Sequence, residues 1–526
     1  MERYPGQLLP RICDDSKRGR RAYFFCSAQE QRCWLALAQT TGVATIIFPT
    51  PAGSRGATMA ELRRAKEAFV SGHAGTSLAE ATAASLAVPA VVWVLCVLPP
   101  RWRPQALGLG RFLLDNALLA GPALAVLTER LTGAALLMGC GMGAALVLLA
   151  RRLWPTPKQA THSVQEAMAA AAAARAMPCL CWYRAGMLLM TNLAILAVDF
   201  PVFPRRFAKA ENYGTGLMDV GTGSFVFCQG VMRGAVLRSP SAGSATTWRS
   251  VWSSVVPLVL LGGARLLAVK GAEYQEHVSE YGVHWNFFIT LAGVVLLAKL
   301  APVSEHWGWR AAAGAGLVVL QQAGLQAGLG EVAMAEQRGP GLLSLNKEGV
   351  ISLPGYLALH CLGWGGGGGL RWLLSRGARW GLPAAAVTTA AGLGAMWGAV
   401  LLAAAVAEPV SRRSCNAAYI LWVAAHNGTA IAAFAAAEVA ARWGQSLPGA
   451  APAPLPLAEA LSGNMLLAFL AANLLTGAVN LSINTLDTPD TAAIGILAAY
   501  ALATNALAWA LWRRGLALRP AASKQA

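Results

Sequence analysis

Ala185 to Val198 is a largely apolar run that leads into Asp199-Phe200-Pro201-Val202-Phe203-Pro204-Arg205-Arg206-Phe207-Ala208-Lys209. A carboxylate thus closes a membrane-like helix, and three cations follow within ten positions. A charge at mid-bilayer costs about 2.5–3.5 kcal/mol on insertion scales, so ionisable residues next to a span mark a candidate site. Pro201 and Pro204 cannot continue a helix and bias their predecessors toward extended backbone. Asp199 is therefore expected at a helix end, half buried.

Runs like the one before Asp199 recur from about residue 83 to residue 513. The chain has 526 residues, of which 56% are hydrophobic and only 13% charged. Its mean hydropathy is +0.48, and a soluble protein carries about 25% charged residues. Lipid admits only helices or closed barrels. The runs are long and rich in Ala, Leu, Val and Gly, not short alternating strands, so they read as helices. Expected spans are 83–100, 112–127, 131–150, 180–199, 214–232, 252–270, 284–302, 310–328, 350–364, 382–407, 416–441, 459–485 and 491–512. The expected fold is an all-α polytopic membrane bundle of about 13 transmembrane helices. Gly365 to Gly369 reads as local composition that leaves the ninth span uncertain.

The net charge is +17. In short membrane loops such cations orient helices, and no motif points to nucleic acid. Loops after odd-numbered spans carry Arg101 and Arg103, Arg151, Arg152 and Lys158, Arg233 to Arg249, Arg371 to Arg379, and Arg442. Loops after even-numbered spans are often acidic, as at Glu273 to Glu280 and at Asp487 with Asp490. The positive-inside rule then places the N-terminus outside the cytosol and the C-terminus inside it. Two groups break the pattern. Arg205, Arg206 and Lys209 suggest an anionic ligand such as a phosphate. Arg412 and Arg413 read as a local exception. Of the ten cysteines, Cys96, Cys140, Cys228 and Cys361 fall in apolar runs and read as small buried hydrophobes. The spacing of Cys179 and Cys181 does not suit zinc, and no metal site is expected.

The polar residues gather at one membrane face. Asp199 has the position of a proton acceptor from an alcohol. Lys209 suits pairing with it, or stabilising an oxyanion. Asp219 lies in an apolar stretch after Gly214 and Gly216 and needs a partner or a proton. His284 and Asn286 open a span on the same side, and His is the usual base near neutral pH; an anchoring role at the interface fits His284 as well. Asn346 and Lys347 precede the ninth span. Asn480 and Asn484 share a helix face that suits a polyol head group or another helix. No GxSxG, HExxH or Walker sequence is present. Transfer between two lipid-like substrates, by proton abstraction and charge stabilisation, fits this inventory. A structural ion pair joining helix ends fits Asp199 and Lys209 too.

Longer strings carry a resemblance. They are Lys66-Glu67-Ala68-Phe69-Val70-Ser71, Thr191 through Lys209, Tyr213 through Asp219, and Gly223-Ser224-Phe225-Val226-Phe227. Ser279 through Phe288, Asn346 through Gly349, Ser352 through Tyr356, and Asn480 through Thr485 complete the set. From about residue 62 to the last helix, the chain resembles the GPI-anchor inositol acyltransferases, the PIG-W and fungal GWT-type proteins. Residues 1–58 stand apart as an atypical N-terminal extension, read as flexible or targeting. The resemblance implies that residues 59–526 form one transmembrane acyltransferase domain.

The resemblance implies an enzyme of the endoplasmic reticulum membrane, with a lumenal N-terminus and a cytosolic C-terminus. It would move palmitoyl from palmitoyl-CoA to the inositol 2-hydroxyl of glucosaminyl-phosphatidylinositol, with acyl-CoA as co-substrate and no other cofactor. Asp199 and Lys209 are then the catalytic pair, with Asp199 taking the hydroxyl proton. Arg205 and Arg206 would hold phosphate. Asp219, His284, Asn286, Asn346, Lys347, Asn480 and Asn484 would contact substrate. A secondary transporter of an anionic lipid or metabolite is the alternative. A non-catalytic scaffold is a third reading.

Overall fold

The computed structural model of the chain describes residues 59–98, 108–153, 163–174, 177–236, 248–271, 278–301, 304, 306–443 and 455–516. The expected extension 1–58 lies outside these residues, as do Arg101, Arg103, Lys158 and Glu273. The described residues fold into helices, and their one β-bridge joins Gly75 to Thr215.

Six helices are long and apolar enough to cross a membrane: Gly108–Leu127, Pro178–Ala197, Leu382–Val406, Ala417–Trp443, Met465–Ser482 and Asp490–Arg513. A seventh span arises if Leu78–Ser85 and Ala87–Val97, bent by 44°, count as one. The apolar segments Gly133–Leu149, Val251–Leu267 and Phe287–Leu300 are shorter. The expectation of thirteen spans is thus not established by length and composition. The shortfall has a physical origin: Val220–Gly234 and Phe287–Leu300 are short, and Lys347–Trp380 is long but polar at both ends.

Burial orders the bundle. Pro178–Ala197 and Ala417–Trp443 are 72% and 67% buried and form its centre, whereas Leu382–Val406 is 6% buried and faces outward. Tyr183 and Asn427 link the two central helices by a 2.7 Å hydrogen bond, and Asn427 also donates to Ser224 at 2.9 Å. Both groups are buried, so the bonds satisfy polar atoms that lipid would leave bare.

The ninth expected span is longer than its sequence suggests. Lys347–Trp380 is one helix of 34 residues, and Gly365 to Gly369 lie within it. Here glycine is a packing device. A Cβ at Gly230 would lie 2.0 Å from the His360 carbonyl oxygen, and one at Gly234 would lie 1.9 Å from that of Trp364. Conversely, Cβ atoms at Gly363 and Gly367 would meet the carbonyls of Phe227 and Val231 at 2.2 and 2.1 Å. Two glycine pairs, each four residues apart, thus let Lys347–Trp380 and Val220–Gly234 touch backbone to backbone.

The candidate catalytic face

Beyond Ala197 the chain leaves the helix and returns as Val220–Gly234 only after two short 3-10 turns, Arg205–Phe207 and Leu217–Asp219. The prolines prevent regular structure, so side chains must satisfy this loop. Arg205 does much of this. Its guanidinium donates to the carbonyls of Val198, Phe200 and Phe203 at 2.9–3.0 Å and lies 4.0 Å over the Phe69 ring. The Asp219 carboxylate closes the loop from the other side. It accepts the amides of Ala210 and Gly216 at 3.0 and 2.8 Å, and Arg412 Nε at 2.8 Å. Asp219 is 0% exposed. Burial pushes its carboxyl above the usual range, against the pull of Arg412 and the two amides.

Asp199 is 8% exposed at the start of this loop. Asn480 Nδ2 donates to its Oδ2 at 2.6 Å. Lys66 Nζ in turn donates to Asn480 Oδ1 at 3.1 Å and to the Asn480 carbonyl at 3.3 Å. Burial raises the Asp199 carboxyl above its ordinary value, opposed by Asn480, Lys66 and Arg205. Burial likewise lowers the Lys66 ammonium, with Asp199 pulling the other way.

Lys209 belongs to a different cluster. Its ammonium bonds both Glu280 oxygens, at 2.8 and 2.9 Å. Arg412 Nη1 reaches the same carboxylate at 3.0 Å, so Arg412 bridges Glu280 and Asp219. Burial pushes Glu280 up, but Lys209 and Arg412 outweigh it and hold the carboxyl at about 2. Arg206 is on the surface, paired with Glu80 at 2.9 Å and with Glu129.

The remaining sequence-selected residues divide between caps and brackets. Asn286 caps Phe287–Leu300 by accepting the amides of Phe288 and Ile289. Asn346 accepts the His284 amide at 2.7 Å, while His284 Nδ1 is buried without a partner. Lys347 bonds the carbonyls of Ala335 and Gln337. Asn484 bonds Asp487 at 2.6 Å in an exposed turn.

The loop therefore brings Asp199 together with Asn480 and Lys66, and Lys209 together with Glu280 and Arg412. Phosphate contacts at Arg205 and Arg206 are not what their present partners provide: one is bound to carbonyls and the other to carboxylates. Glu280, Arg412 and Lys66 were not selected from sequence as site residues. The signal for the arginines was their wrong-side charge. Its cause is buried acid, because Arg412 meets Asp219 and Glu280, and Arg413 meets Glu348 at 3.3 Å.

A cavity of about 200 Å³ opens beside this face. Lys209, Glu280 and Arg265 give it a charged end, and Met187, Met190, Phe225 and Phe469 give it an apolar body. Thr191, Ala194 and Ile195 line it from the helix that leads to Asp199, but Asp199 itself is not among its lining residues. A charged mouth over an apolar slot suits an amphiphile with a long chain.

Residues 62–511 match the model of the family described as GWT1. The GPI-anchored wall transfer protein 1 of Aspergillus fumigatus is 36% identical over 509 residues, covering 86% of this chain and 98% of its own. The protein of the same name from Emericella nidulans is 38% identical over 480 residues, 85% of this chain and 96% of its own. That of Candida albicans is 33% identical over 374 residues, 64% of this chain and 75% of its own.

Proposed function

Because the chain belongs to the GWT1 family, we propose that it is an acyl-CoA-dependent O-acyltransferase of GPI-anchor biosynthesis, acting on the inositol 2-hydroxyl of glucosaminyl-phosphatidylinositol. The observation that supports this most is the Lys209–Glu280 pair at the charged end of an apolar cavity, one loop away from the Asp199–Asn480–Lys66 chain of hydrogen bonds. The acyl donor is palmitoyl-CoA, and no further cofactor takes part. The enzyme resides in the endoplasmic reticulum membrane, N-terminus lumenal and C-terminus cytosolic, as its loop charges favour.

In this reading Asp199 accepts the proton of the inositol hydroxyl as the oxygen attacks the thioester carbonyl. Lys209 faces the charge that develops on the carbonyl oxygen. The intermediate collapses with loss of CoA thiolate, which takes up the proton held by Asp199. A buried carboxylate with a raised pKa is a stronger base than a solvated one. Asn480 and Lys66 orient it. Asp199 is not among the cavity's lining residues, so in this reading the inositol enters from the loop side and meets the thioester at Lys209.

The test uses purified protein, labelled palmitoyl-CoA and glucosaminyl-phosphatidylinositol. The expected product carries an alkali-sensitive acyl group on inositol; no such product from active, folded protein overturns the reading. The transporter alternative is not favoured, since the similar proteins are named for GPI-anchored wall transfer.

A further inference from the structure

Arg265 is a charged group at the cavity mouth that the acyl-transfer reading leaves unused. It lies near the end of Trp248–Gly271, is exposed and lines the cavity together with Lys209, Glu280 and Tyr281. The other charges there are paired with one another. Lys209 bonds both Glu280 oxygens, and Arg412 bridges Glu280 and Asp219. The hydroxyls of Tyr281 and Thr222 bond each other at 2.6 Å. Arg265 is near enough to Glu280 to act on its charge, yet among the described residues it makes no hydrogen bond or ion pair.

In this cluster three cations face two carboxylates, so one positive charge is left over at the head of an apolar slot. An arginine at the end of an apolar helix ordinarily snorkels to the head-group layer. Snorkelling needs no cavity, and Arg265 borders one. Its helix is also held in place. Asn286 Nδ2 donates to the Gly262 carbonyl at 2.9 Å, one turn before Arg265, and the Ile289 side chain packs against Gly262. A guanidinium on a fixed helix, with its donors unused, suits a phosphate taken bidentately.

We propose that Arg265 anchors the phosphodiester of the acceptor lipid. The inference rests on the acyl-transfer reading and assigns a residue to one of its two substrates. In that acceptor the phosphate and the reacting 2-hydroxyl sit on neighbouring inositol carbons. The phosphate contact must therefore lie beside the place where the hydroxyl oxygen meets the thioester. Arg265 meets this condition, because it shares one end of the cavity with Lys209 and both act on Glu280. In acyl-CoA the long pantetheine arm separates the phosphates from the thioester. A thioester at Lys209 thus carries those phosphates away from Arg265. A phosphodiester also bears the single negative charge that balances this end, whereas CoA bears several.

The experiment places the full chain in phosphatidylcholine nanodiscs. Binding is measured for labelled glucosaminyl-phosphatidylinositol, for its uncharged phosphate methyl triester, and for labelled palmitoyl-CoA. Parent, Arg265→Gln, Arg265→Met and Arg265→Lys are compared. The expected result is at least tenfold weaker binding of the charged lipid by Arg265→Gln and Arg265→Met, with most affinity kept by Arg265→Lys and palmitoyl-CoA binding unchanged. The parent should bind the triester about as weakly as Arg265→Met binds the charged lipid, and Arg265→Met should hardly distinguish the two. In turnover the KM for the acceptor should rise while that for palmitoyl-CoA holds. Parent-level affinity for the charged lipid in the variants overturns the proposal, as does a loss confined to palmitoyl-CoA or an equal loss of both. Arg265 bonds no other group, so the variants remove no contact of the fold; whichever of Arg265→Gln and Arg265→Met elutes as a monodisperse peak decides. The expected binding pattern in a parent that forms no acylated inositol would sink the transfer reading and leave the anchor standing.

Discussion

Asn480 donates its amide to the Asp199 carboxylate at 2.6 Å, although 281 positions separate the two in sequence. The bond favours the ionised carboxylate, while burial disfavours it. If ionised Asp199 is the base, as proposed, transfer falls as pH drops through its folded pKa, which lies above the ordinary value of about 3.9. Asn480→Ala removes a stabiliser of the charged form. Its acid limb should therefore move to higher pH, with a larger loss at pH 6 than at pH 8. A pH–rate profile identical to the parent's would show that Asn480 does not act through Asp199.

Asp199→Asn and Lys209→Met separate chemistry from folding. The first should lose about 10²–10⁴ in rate, the second about 10²–10³. The Lys209 side chain is 41% exposed but that of Glu280 only 15%, so Lys209→Met should lower the melting temperature while Arg412, still 3.0 Å from Glu280, keeps the protein folded. Normal turnover by either variant removes that residue from the mechanism.

Glu348 is a stability hinge. Its side chain is 0% exposed and pairs with Arg338 at 2.6 Å and Arg413 at 3.3 Å. Glu348→Ala leaves Arg413, 7% exposed, without its acid. Removing one partner of a buried pair costs about 3–5 kcal/mol. A thermal melt in detergent should show a large drop; a shift of less than a degree would contradict the network.

Gly367→Leu tests the glycine seam. Even a Cβ there would sit 2.1 Å from the Val231 carbonyl oxygen, and overpacking costs about 1–3 kcal/mol or more. Substituting Gly392, which has open space around it, should leave the melting temperature nearly unchanged.

Glu280 sets an acid limit on stability. Its carboxyl is held at about 2 in the fold, below an unfolded value of about 4.3. The contribution is present above the unfolded value and is lost as pH falls from there toward 2. Melting temperature followed from pH 7 to pH 3 should decline at the acid end, and less steeply in Glu280→Gln.

The membrane class and the helix positions near the site were legible because apolar runs and prolines are local signals. Asp199 followed by Phe-Pro ends its helix at Ala197, two residues earlier than the expected span. The partners were not legible. Lys66, Asn480 and Asp199 meet through tertiary packing, and nothing in 414 residues of separation announces the contact between the first two. Gly365 to Gly369 misled for a related reason: a glycine run weakens an isolated helix, whereas here it permits contact with Val220–Gly234. Arg412 was legible as an anomaly but not as a ligand of Asp219, because the positive-inside pattern registers a charge and not its neighbour.

The seam between Gly230, Gly234, Gly363 and Gly367 has a mechanical corollary. Two backbones in direct contact have no side-chain cushion to compress, so these helices behave as a fixed jaw. Any widening that admits a guest must come from the opposite jaw, where Phe469 sits on Met465–Ser482, a span only 22% buried.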